Sequence, residues 1–76
     1  MSLNKMLRTQ GLESRRFEYD DRTEFVVDFG PGRDAAVDIV DELAIIVVGD
    51  DQYEVELDGN EQVFMNNGVL TFEVRE

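Results

Sequence analysis

The sequence predicts an all-β fold, an antiparallel immunoglobulin-like β-sandwich of about seven strands with a short N-terminal helix. Three observations predict it. From Arg15 onward apolar and polar residues alternate with period 2, the spacing of a half-buried strand. Turn signals rich in Gly, Asp and Asn recur about every ten residues, as they do in sandwiches. The chain has 76 residues, enough for one domain with one small core. A barrel built from the same strands is the main structural competitor.

Residues 3–10 form the expected helix. Leu3, Met6 and Leu7 fall at i, i+3 and i+4 on one face, and Gly11 suits a C-terminal cap. Residues 1–12 are thus an amphipathic arm, and residues 13–76 the sandwich. The first strand, Arg15–Asp20, puts Phe17 and Tyr19 on one face and Arg16, Glu18 and Asp20 on the other. Asp20-Asp21-Arg22 turns, and Thr23–Phe29 follows with Phe25, Val27 and Phe29 inward. Gly30-Pro31-Gly32 breaks the chain, because proline cannot extend a central strand. Ala35–Val40 carries Val37 and Ile39 opposite Asp38, and Asp41-Glu42 turns again. Leu43–Val48 is apolar on both faces, the pattern of the most buried strand. Gly49-Asp50-Asp51 signals a hairpin into Gln52–Leu57, with Tyr53, Val55 and Leu57 in and Glu54 and Glu56 out. After Asp58-Gly59-Asn60, the strand Gln62–Met65 meets Asn66-Asn67-Gly68, whose Asn-Gly pair is the strongest short hairpin signal. Val69–Arg75 closes the domain with Leu70, Phe72 and Val74 on one face.

Composition restricts the chemistry. The chain has no Cys and no His, so thiolate sites, disulfides, the commonest acid–base group and the commonest transition-metal ligand are all missing. No catalytic residue, cofactor or metal is expected. Net charge is −11, a surface that repels nucleic acid. Residues 1–16 carry +3 and residues 17–76 carry −14; the cations are six Arg and a single Lys. Heavy acid with scarce Lys resembles proteins of salt-accumulating extreme halophiles, the alternative being an ordinary acidic protein. The longest apolar run, residues 43–48, is far too short for a membrane span, and the N-terminus lacks the apolar stretch of a signal peptide. A cytoplasmic protein is the expectation.

Several short patterns invite a site, and each has a plainer explanation. Asp20-Asp21 and Asp50-Asp51 are pairs of acids, but they fall in turns rather than in a cleft. Asp58-Gly59-Asn60 lacks the rest of a twelve-residue calcium loop. Gly30-Pro31-Gly32-Arg33 lacks the spacing of a phosphate loop. Arg15 and Arg16 are expected to pair with cross-strand acids such as Glu24 or Asp28. The helix is the most suggestive element. Leu3, Met6 and Leu7 beside Lys5 and Arg8 would suit docking to a partner or client, or would cover an open edge of the sandwich.

The stretch from Asp58 to Val74, with Asn67-Gly68-Val69-Leu70-Thr71 at its centre, resembles the closing segment of the α-crystallin domain of small heat-shock proteins. The order of the preceding segments resembles it as well: Arg16–Asp20 and Thr23–Phe29 as a first hairpin, the break at Phe29-Gly30-Pro31-Gly32, and Leu43–Val48 as the central strand. The resemblance covers roughly residues 15–75. In that family a long loop with a strand exchanged between protomers separates the strands matching Leu43–Val48 and Gln52–Leu57; here only Gly49-Asp50-Asp51 joins them. The sequence ends at Glu76 without the Ile-x-Ile-type tail that builds large assemblies. The resemblance therefore implies the shorter co-chaperone branch of the fold. A non-enzymatic, chaperone-like or adaptor protein is expected, monomeric or a small dimer, that binds a protein partner or an unfolded client through its sandwich edges and helix. The alternative is an accessory subunit of one dedicated complex. No nucleic acid and no membrane partner is expected.

Overall fold

A computed structural model describes residues 3–31 and 34–75. The glycine and arginine at 32 and 33, within the predicted break, and the last residue of the predicted domain lie outside the described residues. The chain folds as one helix and seven strands: α1 (Leu3–Thr9), β1 (Arg15–Glu18), β2 (Arg22–Asp28), β3 (Ala35–Val40), β4 (Leu43–Val48), β5 (Asp51–Glu56), β6 (Glu61–Asn66) and β7 (Val69–Arg75). Two antiparallel sheets result. Sheet A is ordered β1-β2-β7-β6, and sheet B is ordered β3-β4-β5. The architecture is an all-β sandwich.

The local chemistry that ends each element is visible in the backbone. α1 stops in a Schellman motif. Gly11 adopts φ +80°, its N–H reaches the Arg8 carbonyl at 3.0 Å, and the Leu12 N–H reaches back to Leu7 at 2.9 Å. Leu12 is thereby turned into the core beside Leu7. Between β6 and β7, Asn67 (φ 52°) and Gly68 (φ 78°) both take the left-handed conformation, as a two-residue type I′ turn requires. Gly68 is also buried against the Gly30 loop. Its carbonyl accepts the Phe29 N–H at 2.8 Å, and a Cβ there would overlap the Gly30 carbonyl oxygen.

The core is the space between the sheets. Phe25 and Val27 of β2 and Leu70 and Phe72 of β7 face Ala44, Ile46 and Val48 of β4 and Val55 of β5. Phe29 and Tyr53 stack at one end, ring centroids 6.1 Å apart. Leu3, Leu7 and Leu12 join from the N-terminal arm, which packs along β5.

One expectation about which face is covered needs correction. β4 is buried on one face only: Ala44, Ile46 and Val48 are inside, while Val47 on the opposite face is 40% exposed. The reason is that sheet B has one layer against it, not two. On β1, register puts Arg16 opposite Phe25 and Glu18 opposite Thr23, so the charged residues share the inner side. Phe17 is sent to the outer face of sheet A, 43% exposed. Sheet A has four strands against three, and β1 overhangs the covered region.

Candidate interaction surfaces

α1 occupies the open side of the sandwich. Leu7 is wholly buried, Leu3 nearly so and Met6 half-buried, whereas Lys5 and Arg8 are exposed. The apolar face that could dock a partner is therefore already taken by the protein's own core. A residual cleft of about 470 Å³ remains beside it, with Leu3, Met6, Phe25, Leu57 and Val74 as its apolar wall. Among the other lining groups are the carboxylates of Asp58 and Glu61, which serve their own loop. Glu61 accepts the backbone N–H groups of Asp58 (3.0 Å) and Asn60 (3.1 Å), and Asp58 also accepts that of Asn60.

The sequence reading missed Gln10. Its side-chain amide pairs with the backbone of Glu54, accepting from the Glu54 N–H at 3.0 Å and donating to the Glu54 carbonyl. Glu54 lies on β5, and the Leu57–Glu42 bond places it among the alternate residues whose peptide groups point away from β4. Gln10 thus supplies one residue's worth of strand pairing to an edge that would otherwise offer itself to another chain. Nothing in local sequence signals a bond across 44 positions.

The charges sort between the sheets. On sheet A, Arg22 gathers Asp21 (3.0 Å) and Glu24 (3.2 Å), with Glu73 at 4.0 Å, and stacks over the Tyr19 ring at 4.3 Å. The hydrogen bond to Glu24 raises the Arg22 pKa further. Arg75 joins Glu73 at 3.5 Å. Arg16 pairs with Glu18 on its own strand rather than with Glu24 or Asp28 across the sheet, and Arg15 lies opposite Val26. Arg16–Glu18 and Arg22–Asp21 are surface pairs, each worth about a few tenths of a kcal/mol, whereas Glu24 and Glu73 are half-buried where they meet Arg22. Sheet B differs: residues 34–57 hold eight carboxylates and neither Lys nor Arg.

The outer face of sheet B alternates rows. Val40, Leu43 and Glu56 are register partners, as are Asp38, Ile45 and Glu54, and Ala36, Val47 and Gln52. Val40 is 47% exposed. An apolar stripe along β3 and β4 therefore runs beside an acidic row on β5. The signal for it was present in the sequence, as the strict outward placement of Glu54 and Glu56 beside an apolar neighbour strand.

The acids of the turns Asp20-Asp21 and Asp50-Asp51 are exposed. Among the described residues no group of three or more Asp or Glu is placed to hold a metal ion, and no helix is long and apolar enough to cross a membrane. No curated protein and no solved structure matches the chain. A family profile described as a family of unknown function (DUF7127) matches residues 1–74. Covering nearly the whole chain, helix and sandwich alike, that match makes the protein a member of this family.

Proposed function

We propose that the protein is a non-enzymatic protein-binding module, chaperone-like or an adaptor, working in the cytoplasm of a salt-accumulating cell. The observation that carries this reading is the set of exposed large apolar side chains outside a core that is already closed: Phe17, Tyr19, Ile39, Val40, Val47 and Phe64. All but Tyr19, which lies between β1 and β2, belong to strands, on whose faces and edges extended or helical segments of other proteins dock by known modes. The resemblance to the α-crystallin domain supports the same reading, and the absence of His and Cys leaves few routes to acid–base or nucleophilic chemistry. The two-residue Gly49-Asp50 turn in place of an exchange loop favours a monomer or small dimer.

A second reading, an accessory subunit with one dedicated partner, draws on sheet B. A fixed pattern of apolar and acidic rows suits one complementary surface better than many clients. The two are separated by mixing the protein with a thermally unfolding model client in molar salt. Suppression of aggregation at a substoichiometric amount of protein supports the chaperone-like module. A single partner retained one-to-one from the native cytosol, with no suppression, supports the accessory subunit. Absence of both overturns the proposal.

A further inference from the structure

The outer face of sheet B has the dimensions and chemistry of a seat for one segment. Its width is three strands, about 14 Å, and its length six residues, about 20 Å. That footprint, about 300 Å², is well short of the roughly 800 Å² each partner contributes to a stable globule-on-globule interface, so a second copy of the chain is a poor occupant. An α-helix about 10 Å across fits it, and 20 Å is the length of about thirteen helical residues.

The side chains specify what kind of helix. Val40, Leu43, Ile45 and Val47 form the apolar stripe. Asp38 and Glu54 flank Ile45 on either side, and Glu56 extends the acidic row on β5. The hairpin turns add Asp41 and Glu42 at one end and Asp50 at the other, so the stripe is framed by carboxylates. Residues 34–57 themselves hold neither Lys nor Arg, and α1, which packs on β5, carries Lys5 and Arg8. A lone acidic cluster would attract any cation, but an apolar stripe inside an acidic frame selects alternating apolar and basic character.

We infer that this face docks an amphipathic helix of a partner protein, with Leu- or Ile-type residues at i, i+3, i+4 and i+7 and Lys or Arg flanking them. The inference rests on the protein-binding reading above and names the partner's chemistry. Ile45 and Val47 are the anchors, and Asp38, Glu54 and Glu56 orient the helix.

The test uses a labelled fourteen-residue peptide of Leu and Lys at helical spacing, and a scrambled peptide of identical composition, titrated into the intact protein and followed by anisotropy. Three variants are compared after circular dichroism has verified the fold: Ile45→Thr with Val47→Thr, which keeps β-branching and charge; Glu54→Gln with Glu56→Gln; and Phe64→Thr on sheet A. The ordered peptide is expected to bind about tenfold or more tighter than the scrambled one. Each sheet B variant should lose about tenfold, the effect of removing an interface anchor, and Phe64→Thr should lose nothing. Equal binding of both peptides, loss in the charge variant alone, or loss in Phe64→Thr overturns the inference. So does self-association of the parent that the Ile45→Thr, Val47→Thr variant abolishes, which assigns the face to a second copy. If the peptide fails while client aggregation is still suppressed, this face falls and the protein-binding module stands; if suppression also fails, the module reading falls with it.

Discussion

Gly68 and Gly11 have nearly the same backbone angle, φ +78° and φ +80°, in very different surroundings. A Cβ on Gly11 meets nothing within 4 Å, whereas one on Gly68 collides with the Gly30 carbonyl. Alanine at either site carries the cost of a positive φ, about 1 kcal/mol. Gly68→Ala must in addition push back a loop whose Phe29 amide is hydrogen-bonded to Gly68, the kind of overpacking that costs a further 1–3 kcal/mol or so. Urea unfolding in molar salt should therefore place Gly68→Ala at least about 1 kcal/mol below Gly11→Ala, with Gly68→Val lower still. Equal losses would mean that the Gly30 loop yields freely. The Asn-Gly pair advertised the turn in the sequence; its packing against a loop almost forty residues earlier did not.

At the scale of elements, α1 is a part of the core and not an appendage. Its seven residues are too few for a stable isolated helix, so packing holds it. Leu7→Ala should cost about 2–5 kcal/mol, as for other fully buried leucines, while Arg8→Ala on the exposed face should stay within about 0.5 kcal/mol. Gln10→Ala should cost about 1 kcal/mol and, more tellingly, should speed hydrogen exchange at the Glu54 amide while leaving Tyr53 and Val55 slow. If exchange at Glu54 is unchanged, the side-chain bridge does not guard the edge. The helix itself was legible from Leu3, Met6, Leu7 and Gly11. Its destination was not, because an amphipathic face looks the same whether it meets its own sandwich or a foreign protein. Leu12 was legible only in hindsight, as the apolar residue after a capping glycine.

At the scale of the molecule, charge is the dominant stress. A domain of this size has about 4–11 kcal/mol of net stability, and sheet B sets eight carboxylates in 24 residues without a cation among them. Molar salt shortens the Debye length to about 3 Å and removes most of that repulsion. The melting temperature should rise steeply from dilute buffer to molar salt. The charge-reduced Glu54→Gln, Glu56→Gln variant should show a shallower rise; a flat profile for the parent would remove the argument. Light scattering in molar salt should find a monomer or small dimer. A particle of a dozen or more subunits would mean that the two-residue β4–β5 turn does not limit assembly.

Local chemistry alone determined the seven strands and their order along the chain. Side-chain alternation has a fixed period of 2, and Asp41-Glu42, Gly49-Asp50 and Asn67-Gly68 are turns whose conformations depend on their own residues. On β1 and β4, tertiary structure alone decided which side meets protein and which meets water. Alternation divides Phe17 from Arg16 and Val47 from Ile46 without saying which pair member points inward. That depends on where the other sheet lies and how far it extends: a three-stranded layer cannot cover all of a four-stranded one, and among the described residues no second layer lies over the back of β4.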